Sequence, residues 1–185
     1  MPSVFTHMLV AGALGKTAAA GKMPLRFWAL SVLCTVLPDA DVIGFRFGVH
    51  YSDMLGHRGF FHSLPFALIL SFGVVMLAFK AVPLFSKKWW ALFGYFFVVT
   101  ASHGLLDAVT DGGLGVGFFI PFDSTRYFLP WRLVHVSPIR VSRFFSASTV
   151  QVLTSEFIWI WIPAMLLFAG VWAWRKKRSR ASEVL

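Results

Sequence analysis

The chain has 185 residues, enough for one domain and short for two. At 57% hydrophobic and 14% charged residues, with a mean hydropathy of +0.71, it is too apolar for a soluble domain, which carries roughly a quarter charged residues. The net charge of +9 would suit a nucleic acid, but the Lys and Arg fall in short clusters between apolar runs, as topology signals do, and no nucleic-acid partner is expected.

Five helices are predicted in chain order. Residues 4–20 form a weak span with His7 near its start. No Lys or Arg precedes the apolar stretch from Val4 to Leu14, so the segment does not read as a secretory signal and is expected to stay in the mature chain. Leu25 to Leu37 offers thirteen residues, roughly 20 Å of helix against a hydrocarbon core of about 30 Å. A tilted or bundle-packed helix is expected there, ended by Pro38. Leu64–Phe85 and Phe157–Trp174 are the two strong spans, the second bracketed by Trp159, Trp161, Trp172 and Trp174. Trp89 to about Val109 is apolar yet holds His103 and Asp107. The single cysteine, Cys34, lies in an apolar run; it excludes an internal disulfide and a cysteine-based metal site, and reads as a small buried hydrophobe.

The expected fold is an all-α polytopic membrane bundle of about five transmembrane helices. Residues 1–174 form one domain, 112–154 an interfacial connection on the outer face, and 175–185 a basic tail. Arg175-Lys176-Lys177-Arg178 acts as a stop-transfer cluster and puts the C-terminus in the cytoplasm. Counting back, the cytoplasmic side holds eleven of the seventeen basic residues and only Glu183 among the acids. The N-terminus is then outside. His7, the 38–63 connection and the His103 end of the fourth span all meet at the outer leaflet.

The polar residues of that face are few and grouped. His103, Asp107 and Asp111 stand at i, i+4 and i+8, one stripe of a helix, and a His and an Asp one turn apart can hold a single ion. A His–Asp hydrogen bond between helices is the blander reading, but ionisable groups inside an apolar span are costly and usually functional. Asp111 can instead cap the helix before Gly112-Gly113. In Pro38-Asp39-Ala40-Asp41, an extended or turn segment lets both carboxylates reach one site; solvated loop aspartates are the alternative. His57 and His62 flank Arg58-Gly59, where Gly59 permits a sharp turn before the next helix. Neutral imidazoles beside carboxylates suit Zn²⁺, with Mn²⁺ or Fe²⁺ as alternatives. His50 and His135 lack such partners and read as interfacial or outer groups. Arg58, Arg126, Arg132, Arg140 and Arg143 match phosphate or lipid headgroups, and Tyr127–Trp131 reads as an aromatic segment in the interface.

Thr6-His7, Leu37-Pro38-Asp39-Ala40-Asp41, Gly56-His57-Arg58-Gly59-Phe60-Phe61-His62-Ser63 and Ser102-His103-Gly104-Leu105-Leu106-Asp107 resemble the bacterial membrane-bound, metal-dependent hydrolases of the YdjM and YbcI type. Thr110-Asp111-Gly112-Gly113, Pro121-Phe122 and Ser155-Glu156 match as well, so the resemblance runs over essentially the whole chain. It implies a multi-pass protein of the bacterial inner membrane. A more distant likeness, to the zinc-dependent phospholipase C and single-strand nuclease group, implies phosphoester hydrolysis, although this chain has too few histidines for a three-metal cluster.

The resulting expectation is a metal-dependent hydrolase acting at the outer leaflet on a phosphoester or lipid-like substrate, with membrane lipids as its surroundings. His7, Asp39, His57, His62, His103 and Asp107 are the expected ligands of one or two divalent ions. Asp41 or Asp111 would be a further ligand or the general base, and Arg58 would hold developing negative charge. The alternative is a non-enzymatic membrane protein, a metal or proton transporter or a structural factor, using the same groups.

Overall fold

The computed structural model describes residues 1–19, 21–138 and 148–183. Arg140 and Arg143 lie outside the described residues. Helix α1 covers Val4–Ala18, α2 Leu25–Val36, α3 Leu64–Ala78 and α4 Lys87–Ala108. A last helical stretch comprises α5 (Ser148–Glu156), a wider π turn (Phe157–Trp161) and α6 (Ile162–Glu183). Among the described residues there are only two isolated bridges in place of a sheet, Thr110 with Val134 and Val116 with Tyr127. The protein is an all-α membrane bundle.

Pro38 has no N–H, and its ring would collide with the carbonyl four residues back, so α2 cannot continue in α geometry. The chain nevertheless keeps coiling, as a tight 3₁₀ helix over Leu37–Phe47. The whole of Leu25–Phe47 is therefore one of three stretches long and apolar enough to cross a membrane; the others are Lys87–Ala108 and Thr149–Arg178. The short, tilted helix expected over Leu25–Leu37 is thus the first half of a longer one. Conversely, the strong span expected over Leu64–Phe85 stops at Ala78, where Phe79 leaves helical geometry and turns through Pro83 to α4. Ser63 starts α3 by accepting from the Phe66 amide at 3.1 Å, and Ser86 starts α4 by accepting from Trp89 at 3.2 Å. In the last stretch Pro163 leaves the Trp159 carbonyl without a donor, and the turn just before it widens to the π pattern.

Helix α1 packs on α2 and α6, α2 on α4, and α3 on α4. Between them lies an apolar core that includes Ala11, Phe27, Cys34, Val75, Trp89 and Phe96. Buried hydroxyls in this layer return to their own helices, Ser31 to the Phe27 carbonyl, Ser71 to Ala67 and Thr100 to Phe96. The connection after α4 folds back over one end of the bundle. Leu129 donates to the Ala108 carbonyl and Gly117 to that of Arg58, while Leu64 donates to Phe118. Leu129 also packs on Ala108, Val116 and Phe118, whereas Trp131 in the same aromatic segment is exposed. At the opposite end Arg175 donates to the last carbonyls of α1, those of Thr17 and Ala19, where a helix C-terminus favours a cation.

Glu156 ties the last stretch to α1. Its buried carboxylate accepts from the Ser3 amide, from Ser3 Oγ at 2.6 Å and from Thr6 Oγ1 at 2.6 Å. It thus supplies from another helix the anion that the N-terminus of α1 favours. Trp161 Nε1 donates to the same Thr6 hydroxyl at 2.6 Å. Glu156→Ala leaves these donors buried without an acceptor, and a loss of about 1–3 kcal/mol is expected. Thermal unfolding in detergent measures it; an unchanged Tm would mean that this tie contributes nothing.

Candidate metal centre

The helix ends at the covered face bring together residues far apart in the chain. His7 comes from the first turns of α1, Asp39 and Asp41 from the 3₁₀ extension of α2, His62 from the short 3₁₀ turn Phe60–His62 that precedes α3, and His103 and Asp107 from the last turns of α4. All six are buried.

His62, His103, Asp39 and Asp107 can each offer one donor atom, all within 4.8 Å of one another. His103 Nε2 lies 3.1 Å from His62 Nε2 and 3.3 Å from Asp39 Oδ1. His62 Nε2 lies 3.6 Å from Asp39 Oδ1 and 3.5 Å from Asp107 Oδ2. A tetrahedral set of N and O donors at about 2.1 Å from an ion has edges of roughly 3.4 Å. The four separations bracket that value.

Hydrogen bonding around the cluster aims the donors inward. His103 Nδ1 donates to the Thr35 carbonyl at 2.7 Å, which fixes its proton there and leaves the Nε2 lone pair facing His62. Neither oxygen of Asp39 or Asp107 receives a hydrogen bond, and both nitrogens of buried His7 lack a partner. Asp107 has one fixed cation beside it, Arg58 with Nε at 3.1 Å, and two carboxylates so buried are costly against a single positive charge. Burial alone would push the His62 pKa down, yet Asp107, Asp39 and Asp41 outweigh it and hold the pKa well above the ordinary histidine value. The pocket calls for positive charge, and this donor set fits a divalent ion.

Asp39 and Asp41 do not share one site. On a helix of three residues per turn, positions two apart point in different directions. Asp41 accepts from His57 Nδ1 at 2.8 Å through one oxygen, and its other oxygen lies 3.2 Å from both His62 Nδ1 and the Arg58 amide. Asp41, His57 and His62 form a second group with metal-ligand spacing, joined to the first through the two ring nitrogens of His62. His7 stands beside the first group, stacked on His103 at 4.0 Å between ring centres with Nε2 3.8 Å from Asp107.

Arg58 is fully buried, and its guanidinium is turned to the protein. Nε lies 3.1 Å from Asp107, Nη1 donates to the Gly112 carbonyl at 2.7 Å and Nη2 to Thr110 Oγ1 at 2.9 Å. Its φ of 64° places it in the left-handed region, strain of about 1–3 kcal/mol for a non-glycine residue, held by these contacts. The sharp turn expected at Gly59 is there, since a Cβ on it would lie 2.3 Å from the Met54 carbonyl oxygen, and left-handed Arg58 shares it. The helical stripe also ends early: α4 stops at Ala108, so Asp111 swings out of line with His103 and Asp107. Asp111 is half exposed and pairs with His135 Nδ1 at 2.7 Å. Burial raises its pKa, but His135 and the Val136 amide together outweigh it and hold it below the usual carboxylate range. His135 and His50 therefore do have partners, His50 in Asp53. Arg126 donates to the backbone of Tyr51, Asp53 and His57, and Arg132 lies over Phe128 at 4.8 Å.

Gly104 sets the spacing. A Cβ there would sit 2.7 Å from the His62 carbonyl and 3.4 Å from the side chains of Val116 and Phe118. Without one, α4 comes close enough for His103 to meet His62. Gly104→Ala is expected to push the His62 turn away and weaken metal binding roughly 10-fold or more, as loss of orienting contacts does. Metal titration of the purified variant measures it.

Sequence reasoning did not assign three participants: the Thr35 carbonyl, Glu156 and the brace formed by Arg58. The first is backbone and leaves no signature; Glu156 appeared only in the Ser155-Glu156 pair of the resemblance, with no role attached.

Comparison with known proteins sets the chain among inner membrane proteins. The profile of the family described as YdjM inner membrane protein matches residues 1–178. Inner membrane protein YbcI of Escherichia coli (strain K12) is 38% identical over 177 residues, covering 96% of this chain and all of that one. No solved structure matches. The chain belongs to the YdjM family of inner membrane proteins.

Proposed function

We propose that this protein is a metal-dependent hydrolase whose buried His/Asp centre acts on a phosphoester or lipid-like substrate at the outer face of the inner membrane. The observation that carries the reading is the donor set: two buried carboxylates, of which Asp107 alone has a cation beside it in Arg58, facing two imidazole nitrogens at tetrahedral-edge spacing. Asp39, His62, His103 and Asp107 would hold the ion, with His7 in reserve beside Asp107. Zn²⁺ suits two nitrogens and two oxygens, and Mn²⁺ or Fe²⁺ would also fit. A bound divalent ion would polarise the scissile group and ease deprotonation of water.

The chain's own residues divide the remaining work. Asp41 orients the rings of His57 and His62, a carboxylate-to-imidazole arrangement that sharpens a ligand's basicity. His57 together with Asp41 is also the group placed to carry a second ion. Arg58 fixes Asp107 rather than reaching outward, and Asp111 belongs to the outer surface with His135. A transport role would need a polar route through the bundle, and below the cluster the buried Ser31, Ser71 and Thr100 hydroxyls each bond to the carbonyl of their own helix.

Incubating lipid extract with purified protein and Zn²⁺ or Mn²⁺, then analysing it by mass spectrometry, tests the reading. Release of a headgroup or phosphate is expected from wild type and not from Asp39→Asn. Metal-dependent ion flux in vesicles with no product from any lipid would overturn it.

A further inference from the structure

A large apolar groove of about 750 Å³ runs between the α2 unit and α3. Leu30, Leu37 and Ile43 form one wall, Ile69, Val74 and Leu77 the other. Asp41 is its sole ionisable lining residue, and the Asp41 side chain is itself turned inward to the histidines. The volume falls within the roughly 300–1,000 Å³ of ligand sites. The α3 wall extends from Phe66 to Ala78, about 18 Å at 1.5 Å per residue. One leaflet of hydrocarbon is roughly 15 Å deep, half of a core of about 30 Å.

The groove starts beside the candidate metal centre. It reaches the centre through Asp41, which lines it and whose carboxylate meets His57 and His62, while Asp39, one residue before Ala40 of the wall, keeps 10% exposure of its side chain. The other three ligand side chains are sealed. The wall is also laterally open, since Ile69 and Leu77 are more than half exposed on the outside of the bundle. At mid-length Gly73 lines the groove, and a side chain added there would meet nothing within 4 Å.

We propose that this groove holds one acyl chain of a membrane phospholipid, entering sideways from the bilayer with its headgroup brought to the side of the cluster formed by Asp39 and Asp41. The inference rests on the hydrolase reading for what happens to the headgroup, but not for the seating of the chain. It makes the substrate class a diacyl phospholipid or similar lipid phosphate rather than a water-soluble phosphoester.

The test is photo-crosslinking of the full chain in vesicles of phosphatidylethanolamine and phosphatidylglycerol that contain a phospholipid with a diazirine in its acyl chain. Labelling at Ile69, Val74 and Leu77 is expected to exceed that at Leu166 and Leu167, exposed on α6, by several-fold. Gly73→Phe should fill the groove and abolish the excess; the wild-type pattern decides alone if that variant does not fold. Equal labelling of both faces would mean ordinary surrounding lipid and would overturn the proposal. So would ready disulfide dimerisation of Gly73→Cys in a Cys34→Ser background, which would put a second copy in the groove. Selective labelling without any headgroup release removes the hydrolase reading and leaves the groove standing. Headgroup release without selective labelling does the reverse.

Discussion

Alanine in place of His103 is expected to lower metal affinity by about 100-fold or more, since even outer groups that merely orient ligands are worth 10–100-fold. His103 is the most tightly specified donor in the cluster. Its Nδ1 is committed to the Thr35 carbonyl, its ring is stacked on His7, and its Nε2 faces both His62 and Asp39. Removing the ring also leaves space among buried carboxylates that receive no hydrogen bonds. Elemental analysis of wild type and variant purified side by side provides the measurement. Stoichiometric metal in wild type and little in the variant is the expected pair of results. Full retention in His103→Ala would remove His103 from the ligand set.

Arg58→Ala should be the most destabilising single change at this face. It strips the buried Asp107 carboxylate of its cation, and breaking one partner from a buried pair costs about 3–5 kcal/mol. The same change frees the Gly112 carbonyl and the Thr110 hydroxyl. Arg58→Lys should restore little, because an ammonium cannot span Asp107, Thr110 and Gly112 as a planar fork does. Thermal unfolding of metal-free protein in detergent gives the size of the loss. A double variant with Asp107→Asn should be less destabilised than the sum of the two single ones, because each removes the other's reason for being buried. Additive losses would show that the two side chains do not depend on one another.

Much of this architecture is legible in the sequence because membranes impose strong patterns. Apolar run length and the asymmetry of Lys and Arg are enough to find the helices and to put His7, Asp39, His62, His103 and Asp107 at one face. The errors lie where local geometry decides. Pro38 does end the α-helix, but 3₁₀ coiling needs no change of hydropathy, so Leu25–Phe47 could not be seen as one unit. That same coil directs Asp39 and Asp41 to the two ring nitrogens of His62, a separation that spacing in an extended segment cannot give. Asp111 fits the i+8 position of a stripe that stops three residues before it. Arg58 looks outward in a list of loop arginines, and only the fold shows that it turns inward to Asp107.

The sealing of the cluster has a consequence for timing. The connection after α4 lies over the helix ends, and of the first group only Asp39 has an exposed side chain. Among the described residues an ion held there would reach bulk water only past Asp39, so its exchange is paced by opening on that side. Chelator added to folded protein should strip the metal slowly, at a rate set by that opening and independent of chelator concentration.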